Sequence, residues 1–269
     1  MKLPPYHWWR TVFFLIPTIT IYTVVLGVLS VVTRPFDRQG HFAHRCAQWW
    51  GAAILRTTGV VVDREGATLP PVSASCIFVA NHSSFYDIPV IFATLPHQLR
   101  LMAKATLGHV PFIGWHLRWT GHLLVDRRHP GASIFKRMQR LTTQGASLLV
   151  FPEGSRSRDG RVKKFKGGIF LLAIETGWPV VPLSIVGNRV VMPAERLMTC
   201  PARVRLVVHD PIVTSGLSRD DARALADRVR GVVASPPELG LSDRESPSNA
   251  RESGRGMEKA EGRSPSDRH

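Results

Sequence analysis

Residues 76–87 read CIFVANHSSFYD, an apolar run that leads directly into polar side chains. Further apolar runs of strand length occur at residues 60–62, 123–125, 148–151, 180–186 and 204–208. Residues 131–144, 168–175 and 218–233 have helical periodicity or helix-boundary residues. Short strands that alternate with helices predict an α/β domain.

The polar end of this stretch contains His82 and Asp87, five positions apart. On a straight helix these side chains would point about 140° apart, so they can meet only if the chain bends at a strand-to-helix turn. An imidazole held by a carboxylate through one nitrogen can accept a proton through the other, which predicts a general base. The alternative is a helix cap, because Ser84-x-x-Asp87 fits a capping box and Asp87 could cap a helix beginning at Ile88.

A second polar group, FPEGSRSR at residues 151–158, follows another apolar run. Gly154 permits close backbone approach, Ser155 offers a hydroxyl, and Arg156 has a fork of donors suited to phosphate. Glu153 could orient those donors. The alternative is a charged surface turn.

Two further cations belong to the predicted anion site. Arg127 follows the run 123–125 as a second phosphate candidate. Lys104 precedes an aromatic and glycine-rich stretch that could form a wall for an apolar chain, although core packing explains these aromatics equally well.

The N-terminal region predicts contact with lipid. From Thr11 to Thr33 there are 23 residues without a charge, and about 20 apolar residues suffice to cross a membrane. No small-residue cleavage pattern follows, which disfavours a cleaved signal peptide. Pro17 can kink a helix and basic residues flank both ends, so spanning and in-plane docking both stay open.

Residues 41–57 have the spacing of a second, amphipathic helix. Its tryptophans, Trp49 and Trp50, together with Trp8 and Trp9, are candidates for an interfacial aromatic belt. Packing against the globular core is the alternative.

Composition limits the classes of protein that fit. The chain has 269 residues, 44% of them hydrophobic, and a net charge of +15, which suits one globular domain with an anionic partner. From Ser235 the chain is rich in Ser, Pro, Gly and mixed charge, which predicts a disordered tail. We therefore predict a membrane-associated segment at 1–57, a catalytic domain at 58–234 and a tail at 235–269.

Several motifs and ligand sets are missing from the sequence. The three cysteines have no zinc or disulfide spacing, which fits a reducing compartment. His41, His44 and Cys46 lack a matching fourth ligand, so no metal site is predicted. The sequence has no G-x-S-x-G, G-x-G-x-x-G or P-loop motif, which disfavours esterases, dinucleotide enzymes and P-loop proteins.

Taken in order, the pieces resemble the 1-acyl-glycerol-3-phosphate acyltransferase family across roughly residues 60 to 215. The pieces are 81–87 (NHSSFYD), 121–127, 151–158 and Val181-Pro182-Leu183. The resemblance implies a single α/β domain with a mixed central sheet flanked by helices, preceded by N-terminal membrane-associated helices. Ser155 stands where threonine is commoner, and His122 is less typical.

The resemblance also implies roles for the candidate residues. His82 and Asp87 are catalytic, as base and orienting partner. The residues implied to bind the acceptor are Lys104, Arg127, Glu153, Gly154, Ser155 and Arg156. The implied reaction moves an acyl group from acyl-CoA or acyl-carrier protein to the sn-2 hydroxyl of lysophosphatidic acid, without metal or cofactor, at the cytoplasmic face of the inner membrane.

Other readings of the sequence remain open. The acceptor could be another lysolipid or glycerol 3-phosphate. A membrane-tethered module that binds nucleic acid or anionic lipid would explain the charge, but it would not explain arginines beside glycine at strand ends. Nucleic acid is therefore not an expected partner.

Overall fold

The computed structural model describes residues 5–125, 137, 140, 141, 144–192 and 198–241. Its centre is one sheet of seven strands in the order β1-β7-β6-β2-β5-β3-β4. The strands are β1 Val61–Gly66, β2 Ile77–Ala80, β3 Leu99–Lys104, β4 Leu123–Val125, β5 Ser147–Val150, β6 Val180–Val186 and β7 Arg203–Val208. Helices cover both faces, which confirms the predicted α/β fold.

The sheet is mixed, as expected. Strands β6, β2, β5, β3 and β4 pair in parallel, whereas β7 is antiparallel to β6. The C-terminal ends of the five parallel strands therefore meet at one edge, called here the carboxyl edge. In open α/β sheets ligands bind at that edge.

Strand β3 is the one strand among the described residues that the hydrophobic pattern did not predict. Arg100 interrupts its apolar run, yet this side chain is buried and donates to the backbone oxygens of Leu99 and Gln39. A charge that pairs with carbonyl groups in the interior is invisible to a hydropathy pattern. The predicted helix at 131–144 lies almost entirely outside the described residues.

Eight α-helical segments are described, and they flank the sheet. They are α1 Pro5–Trp9, α2 Ile16–Val32, α3 His41–Thr58, α4 Asp87–Thr94, α5 Ile113–Trp119, α6 Gly168–Thr176, α7 Asn188–Val191 and α8 Ala222–Val233. A short 3-10 turn, Arg219–Asp221, leads into α8 and has the capping box of Ser218 and Asp221.

The core lies on both faces of the sheet because successive strand side chains point in opposite directions. Phe78 packs with residues of α3 and α4 on one face. Its neighbours Ile77 and Val79 pack with residues of α6 and α8 on the other. Strand β2 is therefore buried on both sides, at the centre of the sheet.

The N-terminal helix is long and apolar, and it is attached to the domain along its length. A π-helical stretch, Arg10–Leu15, joins α1 to α2 just before Pro17, which has no N–H to donate. Among the described residues, Tyr6–Val32 is the one helix long and apolar enough to cross a membrane. Its polar groups bond to α3 and α5 in the pairs Arg10–Thr57, Tyr22–Thr57, Thr23–Trp50 and Ser30–His116.

The tryptophans divide between the two predicted roles. Trp8, Trp9 and Trp49 are exposed. Trp50 is half-buried, and its indole N–H donates to Thr23. Trp50 therefore packs against the domain, and the interfacial belt stays a prediction for the three exposed tryptophans.

The first part of the predicted tail packs against the domain. Leu239 is buried, and the N–H of Val162 donates to Gly240 O at 2.7 Å. Residues 235–241 thus continue the domain beyond the predicted boundary at Ser235. Residues 242–269 lie outside the described part of the chain.

Candidate active site

His82 and Asp87 meet in the turn between β2 and α4. His82 Nδ1 lies 2.6 Å from Asp87 Oδ2, and the carboxylate is fully buried. A carboxylate only accepts, so Nδ1 carries the proton and Nε2 is left with its lone pair. No described residue bonds to Nε2, and the His82 side chain is 19% exposed. The pair has the geometry of a base with its orienting acid.

The capping alternative accounts for only part of this turn. Helix α4 begins at Asp87, but the helix has no side-chain cap. Asp87 Oδ2 instead accepts the backbone N–H groups of Ser83 and Ser84, at 2.7 and 2.9 Å. The carboxylate therefore shapes the loop in front of it while also holding the imidazole.

The turn after β5 supports His82 from one side. Glu153 is fully buried, and its carboxylate accepts the backbone N–H of His82 at 2.7 Å and that of Lys163 at 3.2 Å. Burial raises the pKa of Glu153, an effect opposed by these two N–H groups and by the nearby Lys163 ammonium. The imidazole also stacks on Phe151, with ring centroids 4.4 Å apart.

Glu153 consequently has a different role from the one expected. Both oxygens are engaged with backbone behind the histidine, and the side chain has no exposed surface. The expectation that Glu153 contacts the acceptor is corrected to a structural role, in which it holds the His82 backbone.

Arg156 lies next to the dyad. Its guanidinium carbon is 3.6 Å from the centre of the Phe85 ring, in the loop between His82 and Asp87. One guanidinium nitrogen, Nη1, is buried without a hydrogen-bond partner among the described residues. Burial lowers the pKa of Arg156, and the charge of Asp87 opposes this. A buried, unpaired N–H donor on a cation is suited to binding an anion.

Lys163, which was not among the candidates predicted from the sequence, stabilises the turn after β5. Lys163 is buried, and its ammonium donates to Ser155 Oγ at 2.7 Å and to Arg156 O at 3.1 Å. Gly154 has a φ of +76°, a conformation that side chains disfavour. Lys163 is one of three lysines in a basic run, and the sequence gives no sign of which one turns inward.

Asn188 is the second missed residue. It follows β6 and is fully buried, and its amide donates to Asp87 Oδ1 at 2.7 Å. The one available sequence signal was its position directly after the apolar run at 180–186. Asn81 also ties the loop to β6, through two hydrogen bonds with Ile185.

Of the two remaining candidates, the structure describes one, Lys104, at the same edge. Lys104 ends β3, the neighbour of β5, and its side chain is exposed. Arg127 lies outside the described residues, two positions beyond the end of β4. In the described part of the chain no three His, Cys, Asp or Glu side chains are grouped to hold a metal.

Fold and site together define a class of α/β domain in which a histidine and an aspartate lie at the carboxyl edge, beside an arginine whose Nη1 has no hydrogen-bond partner in the described part of the chain. Residues 51–186 match the family model described as Acyltransferase. That match covers half of the 269 residues, and the chain belongs to the Acyltransferase family.

Relatives and a solved structure agree with this family. A chloroplastic 1-acyl-sn-glycerol-3-phosphate acyltransferase of Brassica napus is 34% identical over 80% of this chain and 63% of its own length. The mouse 1-acyl-sn-glycerol-3-phosphate acyltransferase alpha is 33% identical over 64% of this chain and 62% of its own. The crystal structure of the 1-acyl-sn-glycerophosphate acyltransferase PlsC from Thermotoga maritima matches with a TM-score of 0.73 and 25% identity, over 97% of this chain and 99% of that one.

The curated relatives are longer than the matched part. The aligned region spans 62 to 65% of the length of the Brassica, Chlamydomonas and Arabidopsis enzymes.

Proposed function

We propose that this chain transfers a fatty acyl group to the free sn-2 hydroxyl of 1-acyl-glycerol-3-phosphate, giving phosphatidic acid in phospholipid biosynthesis. One observation carries the proposal. A histidine with Nδ1 held by a buried carboxylate has its other nitrogen unbonded among the described residues, close to an arginine with a buried unpaired N–H. The names of the relatives agree with this substrate.

The reaction needs a base at the acceptor hydroxyl. His82 Nε2 takes the proton, the oxygen attacks the thioester carbonyl carbon, and the C–S bond breaks as the tetrahedral intermediate collapses. The imidazolium then returns its proton to the departing thiolate. Asp87 stabilises the imidazolium through Nδ1, and general-base catalysis of this kind contributes about 10²- to 10⁴-fold.

The phosphate of the acceptor has a binding partner in Arg156. A guanidinium donates two parallel bonds to phosphate oxygens, and in this site it is braced against Phe85. We assign Gly154 and Ser155 to the same phosphate turn, with Lys104 and Arg127 as further cations. The acyl donor is acyl-CoA or acyl-carrier protein, and no metal or cofactor takes part.

Two other functions remain as alternatives. An acyltransferase of the same fold could act on glycerol 3-phosphate or on another lysolipid, such as a lyso-ornithine lipid. A non-enzymatic anion-binding module is the remote alternative, and the engagement of His82 with Asp87 argues against it, because anion binding needs no such pair.

We place the protein on the cytoplasmic face of the inner membrane, attached through its N-terminal helices. The outward face of Tyr6–Val32 has exposed apolar side chains, including Phe13, Ile21, Val25 and Val32. Lipid is the natural partner of such a surface. The partners are therefore membrane lipids, the lysophospholipid and the acyl donor, and nucleic acid is not among them.

The proposal is tested by offering the purified full chain several acceptors, each with acyl-CoA or acyl-carrier protein. The acceptors are lysophosphatidic acid, glycerol 3-phosphate, lyso-ornithine lipid and other lysophospholipids, and products are identified by mass spectrometry. We expect phosphatidic acid as the main product. Transfer to a lipid without phosphate, but not to lysophosphatidic acid, would overturn the choice of acceptor.

The catalytic assignment is tested with His82→Ala. We expect transfer to fall at least about 10²-fold while the protein stays folded. His209→Ala is the matched control, because His209 is half-buried and bonds Ser184 instead of the dyad. Normal turnover by the His82 variant would refute the enzyme mechanism.

A further inference from the structure

The two oxygens of the Asp87 carboxylate have unequal sets of partners. Oδ2 lies within hydrogen-bond distance of three donors from its own loop, His82 Nδ1 and the backbone N–H groups of Ser83 and Ser84. Oδ1 has one partner among the described residues, the Asn188 amide at 2.7 Å. The orientation of the carboxylate plane therefore depends on a residue 101 positions away.

The orientation of the Asn188 amide is set by this contact. A carboxylate oxygen accepts only, so the amide must present its NH₂ group, since its oxygen would meet like charge. The amide oxygen is buried and unbonded among the described residues. The amide therefore donates to Asp87 while its oxygen has no hydrogen bond among the described residues. Leaving a buried oxygen unbonded costs folding free energy.

The backbone before Asn188 directs it to this position. Gly187 has a φ of +89°, and a Cβ there would lie 2.8 Å from Arg203 O. Only glycine makes this turn without strain, and the turn ends β6 so that Asn188 lies at the carboxyl edge beside β2. The neighbour on the other side, β5, leads to Glu153, which holds the His82 backbone.

We infer that Asn188 is a positioning residue of the acyl transfer, one that fixes Asp87 so that the imidazolium formed in the reaction is stabilised. The inference rests on the proposed function. Asn188 does not touch the substrate. Its effect therefore falls on kcat, through the alignment of the Asp87 carboxylate with Nδ1.

Asn188→Leu removes the donor and keeps the same number and branching of side-chain heavy atoms. We expect kcat to fall about 10- to 100-fold, as is typical when a group that orients a reactive side chain is lost, with KM changed less than about threefold. Ser184→Ala is the matched control, because Ser184 is a buried polar residue of β6, the strand that leads to Asn188, and donates to Val233 O. Equal kcat per folded molecule in the two variants would overturn the inference.

In Asn188→Asp, residue 188 can donate to Asp87 only while its carboxyl group is protonated. This variant therefore distinguishes a role in positioning Asp87 from a role in packing alone. Two carboxylates this close hold one proton between them, so residue 188 still donates near neutral pH. As pH rises and that proton leaves, donation turns into repulsion and kcat falls. We expect this alkaline loss in Asn188→Asp but not in the wild type or in Asn188→Leu, and its absence counts against the inference. If Asn188→Leu does not fold, the Asn188→Asp profile decides alone.

A structural readout keeps the test independent of the acceptor. We expect the proton between His82 Nδ1 and Asp87 to give a far-downfield proton NMR resonance, because the two atoms lie 2.6 Å apart, and its loss in His82→Ala identifies it. We expect Asn188→Leu to move it upfield and Ser184→Ala to leave it in place, and an unmoved resonance would contradict the inference. Failure of the proposed function instead appears in the wild type, as lack of transfer to lysophosphatidic acid.

Discussion

The residues of the site differ in how far their roles could be inferred from the sequence. His82 and Asp87 are five positions apart, and a bend between strand and helix brings them to 2.6 Å as expected. Glu153 was expected at the phosphate, yet it faces the backbone of His82. Asn188 reaches the site because β6 lies beside β2, and its position after an apolar run gives no sign of that strand order. Lys163 reaches the site because it is buried, and its position in a basic run does not indicate this.

Arg156 provides a prediction at this scale. We expect Arg156→Ala to raise KM for lysophosphatidic acid about 10- to 100-fold with little change in kcat, because a hydrogen bond to a charged group contributes about 1.5–3 kcal/mol. Steady-state kinetics with phosphorylated and unphosphorylated acceptors measures this. Arg158→Ala, an exposed neighbour, is the control. An equal rise in KM for the unphosphorylated acceptor would show that Arg156 has only a structural role.

At the scale of elements, the turn after β5 depends on the Lys163 ammonium, which donates to Ser155 and Arg156. We expect Lys163→Met to raise KM for the acceptor about tenfold, because Ser155 loses the ammonium that donates to it and the turn loosens. Kinetics and thermal unfolding are measured together. Lys164→Met, an exposed neighbour, controls for the lost surface charge. Unchanged kinetics in the Lys163 variant would mean that the turn is rigid without it.

The N-terminal helix gives a second prediction for an element. Its polar side chains bond to α3 and α5 from Arg10 to Ser30, so we expect it to lie along the membrane surface and not to cross. In a cysteine-free background, Phe36→Cys and a tag placed before residue 5 should react with an impermeant reagent from the same side of sealed vesicles. Phe36 is 92% exposed, so its accessibility is not limited by the fold. Labelling from opposite sides would establish a spanning helix.

Elements were predictable where hydrophobicity alone determines them. The run at 180–186 became β6 with the predicted bounds, whereas β3 was missed because Arg100 is buried within it. The length of the apolar N-terminal stretch indicated a helix but not its orientation. Orientation depends on contacts such as Ser30 with His116, which join residues 86 positions apart.

At the scale of the whole molecule, histidines collect where the N-terminal helices meet the domain. His44 and His122 are buried, and His116 bonds Ser30 of α2. Burial, assisted by the charge of Arg100, lowers the pKa of His44 to about 3 and that of His116 to about 4. The pKa of His122 is also well below its ordinary value, mainly because of burial. All three are neutral in the folded protein at neutral pH.

These histidines predict acid sensitivity. The unfolded chain binds protons below about pH 6.5 that the folded protein does not bind until pH 3 to 4, so stability is complete above pH 6.5 and is lost as pH falls. Each histidine contributes about 1.4 kcal/mol per pH unit to the slope of the unfolding free energy. Denaturant unfolding in detergent between pH 7.5 and 4.5 measures it.

The matched variants for this prediction are His116→Gln and His41→Gln. The first should reduce the slope below pH 6.5 by the contribution of one histidine, and the second, at an exposed position, should leave it unchanged. Parallel profiles for the wild type and His116→Gln would contradict the role of this histidine in acid sensitivity.

The clamping of strand β2 between β5 and β6 has a consequence for biosynthesis. Residues 82 and 87 leave the ribosome well before Glu153 and Asn188, which hold the histidine backbone and the aspartate from either side. A nascent chain that has emerged only as far as β5 therefore carries the reactive imidazole without the supports that align it. We therefore expect the proposed acyl transfer to reach its full rate only once translation has passed residue 188 and β6 has paired with the central strand β2.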